Sequence, residues 1–239
     1  GGAGGADIES KPCPDGSQTA QAHPSPESHD TSLPATPAEM QLYAPAKDRD
    51  AVQADPRCKG RFVVIAPGSR WPGKQWPADR FAVLIARLLE APHLRVLIVG
   101  SPDERQVCEM IAKKSSALLA QQTPKAVRPS EDARSTEPRL LNLAGQTSIG
   151  HLMALIEQSA LVVANDSAAV HIAVGFDRPL VALYGPTDIT RVGPYNRACD
   201  VIQHITPSDR LDHKNADAGL RLMERIELDE VLRACQTRL

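Results

Sequence analysis

Four places in the sequence set hydrogen-bonding or charged side chains at the end of an apolar run. They are Gly68-Ser69-Arg70 with Lys74, Gly100 with Glu104, Asn165-Asp166-Ser167 with His171, and Gly185-Pro186-Thr187. In the third, LVVANDSAAVHIAVG, Asp166 and Ser167 close the apolar run, Ala168 and Ala169 follow, and His171 comes one helical turn after Ser167. If a helix starts there, its first backbone N–H groups have no intrahelical partner, and the alanines leave room for a ligand to reach them. A helix end of this kind binds anions, phosphate among them. His171 would lie on the same face, placed to hydrogen-bond an anion or to brace the loop. The same residues also fit an ordinary helix start, with Asp166 or Ser167 as N-cap, the alanines as packing and His171 as a core histidine.

PGSRWPGKQWP offers similar chemistry. Ser69 carries a hydroxyl for a phosphate, and Lys74 carries a mobile positive charge, useful when a diphosphate leaving group gains negative charge. The order G-x-x-x-x-G-K-[ST] is not met, because Gln75 follows Lys74 where the pattern needs Ser or Thr, so this is not a P-loop. Lys74, and still more Arg70, also fit exposed side chains in a turn rich in Trp and Pro. Ser101-Pro102-Asp103-Glu104 satisfies a capping box. Glu104 equally fits a carboxylate that accepts hydrogen bonds from ribose hydroxyls at the end of a strand. YGPT reads either as part of the same site or as a simple turn.

These residues need a scaffold that brings strand ends together, and the chain from Arg61 onward supplies one. RFVVIAPG, LRVLIVG, LLNLAG, LVVA and PLVALYG read as buried strands, and amphipathic stretches separate them. PADRFAVLIARLLEA puts Phe81, Leu84, Ile85, Leu88 and Leu89 on one helical face; TSIGHLMALIEQS does the same with Ile149, Leu152, Met153, Leu155 and Ile156. SPDERQVCEMIAKK is a further helix, a small-residue helix runs from about Ser167 to a cap near Gly175, and LMERIELDEVLRACQTRL closes the chain with one or two helices. The alternation predicts an α/β domain over 61–239, a Rossmann-like parallel sheet with helices on both faces. In such a sheet, ligands bind beyond the carboxyl ends of the strands, where all four motifs stand.

Residues 1–40 are rich in Pro, Ser, Gly and charge and are expected to be disordered, with 41–60 as a linker and an enlarged polar loop at about 120–138. In the first 60 residues the large apolar side chains are little more than Ile8, Leu33, Met40, Leu42, Tyr43 and Val52. The leader and the first residue, Gly1, lead us to expect either a fragment or an atypical gene model. A formal charge of −2 gives no general pull toward nucleic acid or anionic lipid. Cys13, Cys58, Cys108, Cys199 and Cys235 are scattered without a C-x-x-C, which argues against a zinc site or a disulfide framework and suits a reducing compartment. No run reaches the ~18 apolar residues of a membrane span, and the N-terminus has no apolar signal-peptide core. Hydrolase chemistry on Ser167 and His171 is disfavoured, because G-x-S-x-G is absent and the two side chains, a turn apart on one helix, do not converge on a reacting atom.

Four ordered segments resemble glycosyltransferase family 9, the heptosyltransferase family: VVIAPGSRWPGKQWPADRFAVLIARL, VLIVGSPDE, LNLAGQTSIGHLMALIEQSALVVANDSAAVHIAVGFDRPLVALYGPT and LMERIELDEVL. The similarity covers roughly Cys58 to Leu239. It implies the C-terminal, donor-binding half of a GT-B enzyme that transfers a sugar from a nucleotide diphosphate, ADP-heptose in the best-known members, with inversion and without a metal or other cofactor. Carried over, Ser69 and Lys74 would meet the phosphates or the sugar, Glu104 the ribose, and Asp166, Ser167, the Ala168 and Ala169 amides and His171 the diphosphate region. The acceptor would be a saccharide or lipid-linked saccharide such as the lipopolysaccharide core. The setting would be cytoplasmic, peripheral at the inner membrane through that acceptor. Ala168 and Ala169 stand where the family commonly has Gly and then Pro or Leu, and HITPSDRLDHKNADAGL lacks the cysteine many members carry there. The family's catalytic base lies in an N-terminal acceptor domain. Asp7 in GGAGGAD is not assigned that role, since no apolar strand precedes it. A non-catalytic nucleotide-sugar module is the alternative.

Overall fold

A computed structural model describes residues 42–122, 138–212 and 214–239. Six strands form one parallel sheet: β1 (Arg61–Ala66), β2 (Leu94–Ile98), β3 (Leu140–Asn142), β4 (Leu161–Asn165), β5 (Leu180–Leu183) and β6 (Val201–Ile202), in the order β3-β2-β1-β4-β5-β6. The helices are α1 (Ala46–Ala54), α2 (Ala78–Leu88), α3 (Arg105–Gln122), α4 (Ile149–Gln158), α5 (Ala168–Gly175), α6 (Ile189–Val192), α7 (Ala216–Glu224) and α8 (Leu228–Arg238).

The central strands are apolar except at their ends, Arg61 in β1 and Asn165 in β4, because both sheet faces are covered. In β1, Val63 and Ile65 join one core with Phe81, Leu84 and Ile85 of α2, Ile111 of α3 and Val231 of α8. Phe62, Val64 and Ala66 point the other way, into a second core with Val52 of α1, Leu155 of α4 and Val170 of α5. The expected α/β fold with helices on both faces is therefore the observed one, and the five expected strands are present. β6 is an addition: with two residues it carries too little periodicity to read from sequence.

Several local expectations change. The stretch 41–60, expected as a linker, contains α1, whose single buried residue is Val52. Most of its surface is polar, which hid it. α3 runs through Gln122, so the first residues of the expected loop at 120–138 are helical. Residues 123–137 of that loop, like the leader at 1–40, lie outside the described residues. In α4, Leu155 and Ile156 are buried as expected, but Ile149 in the first turn is 65% exposed and Leu152 and Met153 are half-buried. Gly175 is the last residue of α5, and Asp177, at φ +50°, supplies the left-handed turn after it.

Helix α1 is too short to persist alone in water and depends on its docking. Val52→Asp would place a charge where the side chain is now 1% exposed. Hydrogen exchange of the α1 amides is expected to rise to that of free peptide while β1 and β4 stay protected. Retained protection in α1 would show that Val52 does not hold it.

Candidate functional site

The strand order reverses between β1 and β4. These strands are parallel neighbours with Val64 opposite Val162 and Ala66 opposite Ala164, while the chain leaves β1 toward β2 and β3 and leaves β4 toward β5 and β6. Connections departing in opposite directions open a crevice at the carboxyl ends of the two strands. A cleft of about 360 Å³ lies there.

Three consecutive side chains at the end of β4 build its floor, each by a different contact. Asn165 is fully buried; its Oδ1 accepts the Trp76 N–H at 3.1 Å and its Nδ2 donates to the Pro67 carbonyl at 2.6 Å. It thereby fixes both ends of the loop that follows β1. Asp166 accepts the Lys74 ammonium at 2.6 Å and the Thr187 hydroxyl at 2.7 Å, both on Oδ2. Its carbonyl accepts the Ser69 hydroxyl at 3.0 Å, and its N–H donates to the Leu183 carbonyl at 3.2 Å. Ser167 is the N-cap of α5 by position, yet it makes no capping bond, and its Oγ is buried without a partner among the described residues. The opening amides of α5 are thus not capped by a side chain.

The loop bearing Lys74 is stiffened independently. Gln75 Nε2 donates to the Ser69 carbonyl at 2.8 Å. Trp76 is buried edge-on against Phe81, with ring centroids 5.0 Å apart, and its indole N–H donates to the Ile226 carbonyl at 2.9 Å. The tight turn Pro72–Lys74 packs on α7 so closely that a Cβ on Gly219 would overlap the Gly73 backbone. Only glycine allows that approach. At the other end, Gln203 Nε2 donates to the Gly185 and Thr187 carbonyls at 2.7 and 2.8 Å, which holds the loop that presents Thr187 to Asp166.

Glu104 closes the cleft from the side of β2. The capping box read from sequence is present: Glu104 Oε2 accepts the Ser101 N–H at 2.7 Å. The same side chain lies against Gly68, where a Cβ would overlap the Glu104 carboxyl group. Capping and cleft lining are therefore compatible, since one oxygen does the first and the carboxyl group as a whole forms part of the second.

The structure brings Ser69, Lys74, Glu104, Asp166, Ser167, Ala168 and Ala169 to this one cleft. His171 is not among the lining residues; it is exposed on α5, so it is not a core histidine either. Sequence reasoning gave no role to Asn165 and Thr187, which it named only as strand ends, and missed Gly219. Nothing local to Gly219 announces its contact with Gly73, 146 positions earlier in the chain by their numbers. Exposed Ile149 and half-buried Leu152 form an apolar wall.

Burial, and next the Asp166 charge, push the Tyr184 phenol well above its ordinary range, so its buried hydroxyl, without a partner among the described residues, stays protonated. The buried thiols are unreactive: burial, then Glu104, raises Cys108 to about 12, and burial raises Cys58 to about 11 and Cys235 to about 12. Cys58, Cys108 and Cys235 are free thiols. Among the described residues no group of three or more His, Cys, Asp or Glu is placed to hold a metal ion, and no helix is long and apolar enough to cross a membrane.

The chain belongs to glycosyltransferase family 9 (heptosyltransferase), whose model matches residues 19–218. Lipopolysaccharide heptosyltransferase 2 of Salmonella typhimurium is 32% identical over 146 residues, which is 61% of this chain and 37% of that protein. Lipopolysaccharide heptosyltransferase 2 of Escherichia coli is 29% identical over 159 residues, 66% of this chain and 40% of that protein. The chain thus spans about two fifths of the length of these relatives. The solved structure of the E. coli ADP-heptose lps heptosyltransferase II superposes with a TM-score of 0.59 at 23% identity, covering 83% of this chain and 53% of that one. E. coli heptosyltransferase WaaC with ADP superposes at 0.52 and 18% identity, covering 75% and 45%. The fold is that of a Rossmann-like GT-B domain.

Two substitutions test how the floor is built. Asn165→Ala leaves the Pro67 carbonyl and the Trp76 N–H without partners, for an expected loss of roughly 2–4 kcal/mol in urea unfolding; a loss within error of zero would show that water replaces the amide. Gly219→Ala forces α7 off the turn Pro72–Lys74. It should loosen that turn, read as faster hydrogen exchange at Lys74 and Gln75, while exchange in β1 is unchanged; unaltered exchange at the turn would remove Gly219 from its support.

Proposed function

We propose that this chain is the donor-binding half of a sugar transferase. It would take a heptose-like sugar from a nucleotide diphosphate such as ADP-heptose to a saccharide or lipopolysaccharide-core acceptor, by inverting, metal-independent transfer. The observation that carries this reading is the side-chain-uncapped start of α5, facing the same cleft as the Lys74 ammonium at the β1/β4 switch point.

In direct displacement the acceptor oxygen forms a bond to the anomeric carbon as the bond from that carbon to the diphosphate oxygen breaks. Negative charge then gathers on the leaving diphosphate. The α5 amides of Ala168 and Ala169, the Ser167 hydroxyl and Lys74 are fixed dipoles and charge set in advance where that charge forms, which is the economical way to lower such a barrier. Asp166 acts through Lys74: it holds the ammonium in place and leaves its other N–H groups for phosphate oxygens. Ser69 stands beside it, and Glu104 accepts from ribose hydroxyls. Ile149 and Leu152 give the base an apolar surface. The base that deprotonates the acceptor hydroxyl is assigned to an N-terminal acceptor domain outside the stretch from Cys58 to Leu239. Family membership supports the sugar and the acceptor, and relatives named as lipopolysaccharide heptosyltransferases support them further.

Calorimetric titration with ADP, UDP and ADP-heptose tests the reading, with Lys74→Ala and Asp166→Ala in parallel and urea midpoints to separate loss of site from loss of fold. Saturable binding that prefers one nucleotide and weakens in both variants is expected, by about tenfold or more when a charge-assisted contact is lost. A folded chain that binds none of the three ligands overturns it.

A further inference from the structure

A nucleoside diphosphate carries several negative charges into whatever cleft holds it. The cleft at the β1/β4 switch is lined by two cations, Arg70 and Lys74, and by two carboxylates, Glu104 and Asp166. Lys74 touches Asp166 at 2.6 Å, with side-chain exposures of only 13% and 7%. At that distance, and shielded from water, the carboxylate cancels much of the field that Lys74 would present to an incoming phosphate. Lys74 is well placed as a donor but contributes little net charge.

Arg70 differs on each count. It is exposed at the cleft, and no carboxylate of the described residues is paired with it. Its guanidinium carbon lies 6.0 Å from the centroid of the Trp71 ring. At this spacing the ring attracts the cation through its quadrupole, and the contact occupies none of the guanidinium N–H donors. Trp71 also lines the cleft, on the loop whose ends are fixed by Asn165 and Gln75. A planar cation steadied at the rim of a cleft, with its donors unengaged, suits the paired oxygens of a phosphate.

We propose that Arg70 is a diphosphate-binding residue: its guanidinium takes non-bridging phosphate oxygens of a nucleoside diphosphate and supplies the net positive charge that the Lys74–Asp166 pair does not. This rests on the donor-site reading above and adds to it a residue that reading does not use. During transfer the same contact gains strength, because charge on the diphosphate grows as its bond to the sugar breaks. Charge and planar fork both matter, so lysine is a partial replacement.

The test is calorimetric titration of the full chain with whichever of ADP and UDP it binds more tightly. Wild type, Arg70→Gln, Arg70→Lys and Lys74→Ala are compared at low and at physiological salt. Arg70→Gln is expected to weaken binding about tenfold or more, as loss of a charged hydrogen bond does, with Arg70→Lys in between. The salt dependence of Arg70→Gln should be flatter than that of wild type, since one exposed, screenable charge has gone. If Arg70→Gln binds within twofold of wild type while Lys74→Ala is impaired, Arg70 has no part in the site and the donor reading stands without it. A weakened Arg70→Gln whose salt dependence matches wild type also overturns the proposal, because the loss then comes from the Trp71 loop and not from charge. A folded wild-type chain that binds neither nucleotide removes the donor site and Arg70 with it.

Discussion

A carboxylate closed inside a protein must find partners, and Asp166 is the residue whose need for them shapes this site. Its Oδ2 takes Lys74 from the loop after β1 and Thr187 from the loop after β5, while its own backbone directly follows β4. Three separate loops are therefore tied to one atom. An ion pair so little exposed adds small net stability, because desolvating both charges offsets most of their attraction. Removing either member is a different matter, since the survivor would remain charged and unpaired. The pair consequently specifies geometry more than it stabilises the fold: any arrangement in which the loops drift apart must rehydrate a carboxylate and an ammonium.

That commitment explains the start of α5. A carboxylate beside a helix N-terminus would ordinarily cap it. Here Asp166 is turned away to Lys74 and Thr187, and Ser167, next in line, forms no cap either. The electrostatic benefit of a cap is left for another acceptor. Asn165 permits this, because its two buried hydrogen bonds settle the path of the β1 loop before Asp166 is reached. Around this centre the supporting contacts are steric. Gly73 on Gly219 is a backbone approach that a side chain on Gly219 would prevent, and it sets the depth of the Lys74 turn, while Gly68 lets the Glu104 carboxyl group lie against it as the side wall of the cleft.

The fold was largely readable because a doubly covered parallel sheet writes its strands as uninterrupted apolar runs. β1, β4 and β5 contain such runs, β2 is broken only by Arg95, and α2 displays its buried stripe of Phe81, Leu84, Ile85 and Leu88 without exception. Elements with little burial were hidden for the complementary reason: α1 buries Val52 alone, and β6 is two residues long. The candidate residues were readable as strand ends, since topology makes those ends converge at a switch point. Their division of labour was not. Whether Asp166 caps a helix or grips a lysine depends on a side chain 92 positions away, and Ile149 obeys the helical period of α4 while facing the cleft. Periodicity tells which face of a helix is apolar; it does not tell where the neighbouring core ends.

The glutamate after β2 shows how little such alternatives need exclude one another. As a capping residue, Glu104 gives one carboxylate oxygen to the Ser101 N–H, which orients the side chain at no cost in mobility to a ligand. As a wall residue, it rests on Gly68 and beside Gly100, so its position is set by backbone on two sides. A free surface glutamate would lose rotamer entropy on meeting a hydroxyl; one already held by a cap has lost it during folding. A local capping motif can therefore serve as the orienting device for a binding carboxylate, and the sequence SPDE supports both readings because both depend on the same fixed rotamer.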